Sequence, residues 1–297
     1  MRSRIQVLFT FDLEDWYHAN FSSTVAAPQH ARGAHIVQQT HMILQHLETH
    51  GIKATFFVLG AVAVEHPNLV RSIWSAGHEI ACHGFQHDLS YCQDQATFRE
   101  DVHRAKALLE DITGQRVSGF RAPCWSITRS SWQTVQSSNA ALQVLCDEGF
   151  VYDSSLFPFR TYLYGVANAP RFPHVVYLGS GQSIWEIPAS TWSFWGKAIP
   201  FGGGFSFRIL PFSLTMLLAM NCNMVGQPMV FYLHPREVDP ATPRLLLGLR
   251  DRFVHYSGIR SCLRRFSALL KISTGVTMTR YVSNQSTDMT GNAVTHS

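Results

Sequence analysis

Charge is scarce in this 297-residue chain, where only 15% of residues are Asp, Glu, Lys or Arg. The balance is a mild +4, which calls for no nucleic-acid partner. The six cysteines (Cys82, Cys92, Cys124, Cys146, Cys222 and Cys262) contain no C-x-x-C, which argues against a disulfide framework or a structural zinc site. No apolar h-region follows Met1-Arg2-Ser3-Arg4, so no Sec signal peptide is expected. Residues 212–225 are apolar but interrupted by Asn221 and Asn223, and are too short to span a bilayer. A cytoplasmic, soluble chain is the resulting expectation. Gly202-Gly203-Gly204 has no lysine after it and no strand before it, so it reads as a flexible turn and not a phosphate loop. Internal repeats and low-complexity segments are absent as well. What is present is 46% hydrophobic and 12% aromatic residues, enough to bury the core of one large α/β domain or two smaller ones.

The chain opens on a Val-, Leu- and Phe-rich run at residues 5–11, patterned as a strand buried on both faces. It ends in Asp12-Leu13-Glu14-Asp15. Helical periodicity follows over residues 34–50 and stops at Gly51, a suitable C-cap. Strands are expected at 54–59, 78–82, 119–121 and 150–153, and helices at 67–76, 98–113 and 130–148. That alternation indicates parallel βα units. From 156 to 207 the rhythm weakens, with a strand expected at 184–187. A helix at 210–220 and a buried strand at 229–233 then lead to His234-Pro235. Residues 244–271 hold seven Lys/Arg and one acid, a solvated helix face or a basic face able to touch anionic lipid. The polar end of the chain, residues 283–297, is expected to be disordered.

Polar groups close several strands in turn: Asp12/Glu14/Asp15, His83 with His87, Arg121, Asp153 and His234. In a barrel of parallel strands such ends converge on one face. His83 and His87 are four apart, a spacing at which two imidazoles converge on one ion if the segment turns like a helix. Carboxylates, two histidines, a further histidine and an arginine together are the complement for metal-assisted hydrolysis of an amide.

Thr10-Phe11-Asp12, His83-x-x-x-His87, Arg121-x-Pro123, Tyr152-Asp153-Ser154 and Leu233-His234 resemble, in that order, the polysaccharide deacetylases with the NodB homology domain. The resemblance covers residues 5–235. The Asp-x-Glu-Asp-Trp start, the His234-Pro235-Arg236-Glu237 run and His255-Tyr256 look most like the subfamily of exopolysaccharide loci with PEP-CTERM/exosortase systems. It implies a deformed (β/α)7-type barrel over residues 1–235, a C-terminal helical extension over 236–282, and de-N-acetylation of an amino sugar. It further implies Asp12 as general base toward water and His83 and His87 as ligands of one divalent ion, with Zn ahead of Co or Ni. Arg121 would hold Asp12 charged, and His234 would protonate the leaving amine, with Asp153 orienting it or lining the site. The family's second aspartate is replaced by Leu13, so the third ligand falls to Glu14 or Asp15. Alternate residues of an extended segment share a face, which favours Glu14. Trp16, Tyr17, Pro123 and Trp125 are the expected substrate contacts, with Trp185, Trp192 and Trp195 as further aromatic candidates.

The implied partner is an amino-sugar oligo- or polysaccharide or a lipid-linked precursor, with peripheral membrane contact as an added expectation and no nucleic acid. The oligomeric state is not legible. Two other functions fit the residues: hydrolysis of a cyclic imide or ureide by the same apparatus, or a catalytically silent carbohydrate-binding protein of an export system. The first predicts a small closed pocket in place of an aromatic groove, and the second predicts no metal.

Overall fold

The computed structural model of the protein describes residues 4–18, 34–127, 137–161, 164–195 and 197–293. In the first half strands and helices alternate: β1 (Ile5–Leu13), α1 (Ala34–Thr49), β2 (Thr55–Val58), α2 (Gly60–Glu65), α3 (Pro67–Ser75), β3 (Glu79–Cys82), α4 (Gln95–Thr113), β4 (Gly119–Phe120), α5 (Ser137–Asp147) and β5 (Tyr152–Asp153). Helix α4 starts three residues before the apolar pattern suggests. Asp94 caps it by accepting from the Thr97 N–H at 2.7 Å, and left-handed Gly114 ends it. Residues 130–136 of the helix expected over 130–148 lie outside the described residues.

The second half departs further from the sequence pattern. It comprises β6 (His174–Tyr177), β7 (Ser183–Glu186), the hairpin of β8 (Thr191–Phe194) and β9 (Lys197–Pro200), α6 (Gly204–Ile209), α7 (Phe212–Met224) and β10 (Met229–Leu233). After these come α8 (Leu249–Tyr256), α9 (Ile259–Lys271), β11 (Ser273–Gly275) and α10 (Met278–Ala293). The segment beyond Pro235 is therefore not only helical, since β11 pairs in parallel with the start of β1. Helix α10 runs through much of the polar stretch read as disordered, and residues 294–297 lie outside the described residues.

The main sheet runs β10-β1-β2-β3-β4-β5-β7-β6. Its first seven strands are mutually parallel and only β6 is antiparallel. This is the expected deformed barrel, curled but open. The free edge of β10 is met by the residues that flank the β8–β9 hairpin, Ser190 before it and Gly202 after it. There the Tyr232 N–H donates to Gly202 O at 3.0 Å, and Ser190 Oγ accepts from the Val230 N–H at 2.8 Å. Gly202 and Gly203 are thus not a loose turn. A Cβ on either would come within 2.4 Å of Val230 O or 2.0 Å of Tyr232 O, so only glycine permits this backbone approach.

Strand β1 is buried almost throughout, and its alternation divides two regions. Val7, Phe9, Phe11 and Leu13 join the core between sheet and helices, where Phe11 stacks on Phe56 at 4.9 Å and Phe231 on Phe266 at 5.9 Å. Leu8 points into the barrel with Phe57, Tyr152 and Val230, closed from below by Met278, Tyr281 and Val282 of α10. Two and four residues on from Leu8, Thr10 and Asp12 share its face. No described helix is long and apolar enough to cross a membrane.

Candidate functional site

Asp12, delivered by β1 into the barrel mouth, is fixed by Arg121 from just past β4. The guanidinium donates through Nη1 to Asp12 Oδ1 at 2.7 Å and to Thr10 Oγ1 at 2.9 Å. Nη2 reaches Ser154 Oγ at 2.9 Å and Nε reaches Ser154 O at 3.2 Å. Its plane lies over the Phe57 and Trp125 rings, 4.0 and 4.4 Å from their centroids. Arg121 is completely buried. Removing either partner of such a pair costs about 3–5 kcal/mol, because the survivor's charge is left uncompensated.

Beyond Asp12 the chain does not continue as a strand. The Glu14 N–H donates to Asp12 O at 3.0 Å, an i→i+2 turn. That turn, more than strand alternation, brings Glu14 beside the histidines. His87, at φ 64°, sits in the left-handed region that a non-glycine residue occupies at some cost. The loop carrying it is braced by Asp101 of α4, whose Oδ2 accepts from the Phe85 N–H at 2.9 Å. Two further left-handed residues, Cys124 and Trp125 (φ 51° and 52°), follow Arg121.

One ligand atom each from Glu14, His83 and His87 lies within 4.8 Å of the others, and all three residues are buried. His83 Nδ1 meets the Arg121 carbonyl at 2.7 Å. A carbonyl only accepts, so Nδ1 carries the proton and Nε2 presents a lone pair. Burial pushes the His83 imidazolium down to about 4, keeping the ring neutral as a ligand must be. Glu14 Oε1 is engaged by Arg236. Its Oε2 is buried against His87 Nε2. Burial works to raise the Glu14 carboxyl, but His87, Arg236 and His234 outweigh it and hold it well below the usual carboxylate range. A buried, ionised carboxylate clustered with two imidazoles fits a divalent cation. Asp15 is turned elsewhere, accepting from the Trp16 N–H at 2.7 Å through its Oδ1, and is outside the cluster.

His234 ends β10 with Nε2 facing Glu14 Oε1 at 3.2 Å and Asp12 Oδ2 at 3.9 Å. The carboxylate that orients it is Glu237, not Asp153. Glu237 Oε2 accepts from His234 Nδ1 at 2.8 Å and from its N–H at 2.9 Å, while Arg208 Nε donates to Oε1 at 2.7 Å. Burial raises the Glu237 carboxyl, yet Arg208 and His234 bring it well below its ordinary value. Asp153 lies apart from these contacts. It accepts from Ser155 Oγ at 2.6 Å and pairs in register with Glu186 of the neighbouring strand. The Glu237 contact had a sequence signal: residue four of His-Pro-Arg-Glu stands at capping-box spacing from His234, and the box is present. Arg208 had none, since it is brought in from α6 by tertiary packing.

These groups line a cavity of about 510 Å³. Trp125 lines it together with Phe157, Tyr164, Phe205 and Tyr232. Trp16 is buried beneath, half-buried Tyr17 meets it edge-on at 5.8 Å, and neither lines the cavity. Pro123 packs toward Gly84. Trp195, with Phe194 stacked on it at 5.3 Å, is solvent-exposed at the β8–β9 turn.

Residues 6–142 match the family model described as Polysaccharide deacetylase, so a domain of that type is present in the first half. Residues 154–283 match a domain of unknown function, DUF3473. The peptidoglycan deacetylase-like protein FGM2 of Gibberella zeae is 30% identical over 150 residues, 50% of this chain and 41% of that protein. A chitooligosaccharide deacetylase of Rhizobium leguminosarum bv. trifolii is 33% identical over 113 residues, 31% of this chain and 53% of that protein. The chain thus matches about half or less of the length of these curated relatives. A solved structure described as a candidate polysaccharide deacetylase from Mycobacterium smegmatis superposes with TM-score 0.58 at 22% identity, covering 96% of this chain and 91% of that one. That likeness concerns the fold.

Proposed function

We propose that this protein is a metal-dependent hydrolase that removes N-acetyl groups from amino sugars of a bacterial exopolysaccharide or its precursor. The observation that carries the reading is the meeting, in one aromatic-lined cavity, of the Glu14–His83–His87 cluster with Asp12–Arg121 and His234–Glu237. A neutral-nitrogen and carboxylate donor set suits Zn first and Co or Ni next. When bound, the ion supplies Lewis acidity toward the acyl oxygen and lowers the pKa of a water.

The chain's own residues do the rest. Asp12, oriented by Arg121, is the base that takes a proton from the attacking water. The water oxygen bonds to the acyl carbon and the C–N bond breaks, giving acetate and a free amine. An amide nitrogen leaves poorly until protonated, and His234 is the group that supplies that proton. With Nδ1–H bound to the Glu237 carboxylate, the ring presents Nε2 to the site, and Glu237 stabilises the imidazolium. Trp125, Phe157 and Tyr232 supply apolar faces for a pyranose ring.

The cavity exceeds what a small cyclic amide fills, which supports a saccharide over an imide or ureide. The likeness to exopolysaccharide-locus deacetylases guides the choice of substrate, and a cytoplasmic site of action would suit a lipid-linked precursor. The test is metal content of the purified protein, wild type beside H83A/H87A, followed by acetate release from N-acetylated chitooligosaccharides. One ion per chain, lost in the double variant, with metal-dependent acetate release supports the proposal. A folded wild type that takes up no Zn, Co or Ni overturns it in favour of a silent carbohydrate-binding protein.

A further inference from the structure

The half of the chain that matches a domain of unknown function carries an apolar surface that the chemistry does not use. Helix α7 has no charged residue in its thirteen, whereas the nineteen residues of α4 contain seven. Its outward positions Leu214, Leu217, Met220 and Met224 recur at helical spacing and are 38–75% exposed. Leu249 and Phe253 of α8 are likewise exposed at the cavity mouth, where Arg250 and Val254 line the opening.

These patches are tied into one surface. The Phe253 ring meets Phe205 of α6 at 5.6 Å, and Arg208 Nη2 donates to Val254 O at 2.7 Å. Ile209, the next residue and also exposed, ends α6. From α9, Arg265 donates to Arg208 O at 2.8 Å and to Leu210 O, and lies over the Phe212 ring that opens α7. Both helices then run to the start of β1: Asn223 of α7 bonds Gln6 O at 3.2 Å, and the Ile5 N–H donates to Ile272 O just past α9 at 2.9 Å. Thus α9 reaches the start of α7 through Arg265, and α8, joined to α6 by the Phe205–Phe253 contact, continues toward the cavity.

The exposed polar residues along this surface are of one sign. Arg260, Arg264 and Lys271 project from α9, and Arg250 and Arg252 from α8. From Arg244 to Lys271 the only acid is Asp251. An apolar stripe alone would fit a second copy of the chain. A second copy would also bring the same arginines into opposition, whereas anionic headgroups complement them while acyl chains take the leucines and methionines. We infer that α7, α8 and α9 form a docking face for an anionic bilayer surface, with the cavity mouth at one end of it.

The inference does not depend on what the cavity hydrolyses, and its test uses no activity. Wild type is expected to co-sediment with phosphatidylglycerol-containing vesicles at low salt, to bind pure phosphatidylcholine weakly, and to be released by high salt. L217E/M220E and, separately, R260E/R264E should each weaken binding at least about tenfold. All four side chains lie at the surface, so circular dichroism and metal content should match wild type. Absence of binding to phosphatidylglycerol vesicles, or binding indifferent to both double variants, overturns the inference. So does a light-scattering result in which wild type is a dimer that L217E/M220E converts to monomer.

Discussion

Two places in this barrel bury two carboxyl groups each, and they have opposite fates. At the end of β1, Asp12 and Glu14 are met by Arg121, Arg236, His87 and His234. On β5 and β7, Asp153 and Glu186 face each other, with a serine hydroxyl at 2.6 Å and the Leu156 N–H at 3.1 Å as their donors. Burial raises the pKa of a carboxyl in both places. Beside the cations it is overruled, and Glu14 stays ionised. On β5 and β7 burial prevails, pushing Asp153 up to about 6 and Glu186 well above its usual range. Burial alone shifts a carboxyl toward its neutral form, and burial with cationic partners keeps it an anion that can take a metal. The comparison also shows why a strand-end aspartate is weak evidence for catalysis when its neighbours are unknown.

The largest way to break this contrast is at Glu14. E14A should lose the bound ion by calorimetry and lower the deacetylation rate by about a thousandfold or more, since several kcal/mol of charge stabilisation go with it. D15N should keep both, because Asp15 is turned away from the cluster. An E14A protein that still binds one ion would transfer the ligand role elsewhere. Next comes H234A, for which kcat should fall by about 10²–10⁴ with the ion retained. Loss of the ion in that variant would show His234 to be a ligand and not the acid. Smaller again is E237Q, where the His234 ring loses its anionic partner but not its place. A fall in kcat of about 10–100-fold with KM little changed is expected. A purely structural Glu237 would show itself in a lowered melting temperature with kcat unaltered in the folded fraction.

The barrel was legible because short apolar runs alternate with amphipathic helices that stop near a glycine, a pattern that local chemistry alone sets. The cluster was legible where motif residues sit on those strands: Asp12, Arg121 and His234 arrive where the register of parallel strands must bring them. Glu14 stands beside His83 and His87 for a reason that strand alternation does not contain, since an i→i+2 turn takes over where the strand stops. Strand β11 was not legible. Ser-Thr-Gly has no apolar signal, and it is a strand only because the free N-terminal end of β1 pairs with it. The carboxyl beside the His234 ring is Glu237 and not Asp153, because the order of motifs along the chain carries no information about which carboxyl lies beside an imidazole. The hairpin β8–β9 and the close approach of Gly202 and Gly203 to β10 were hidden for the same reason. They answer to an open barrel edge that exists only once the sheet has curled.

The smallest effect sharpens the comparison from its other side. D153N should leave kcat within about threefold of wild type, well short of the loss expected from removing a catalytic acid or base. Its effect belongs instead to stability. With a folded pKa near 6 against about 3.9 unfolded, Asp153 holds a proton in the native state that the unfolded chain has released. The native state is therefore favoured by this group below pH ~4, and that advantage is lost progressively as pH rises toward 6. An asparagine cannot titrate and can donate permanently to the Glu186 carboxyl, so the variant should lose this descending slope. The measurement is the melting temperature of metal-free wild type and D153N between pH 4 and 7, read as a difference so that titration of the histidine cluster cancels. Parallel curves would mean that Asp153 is already ionised at low pH, and that it has a cationic partner after all.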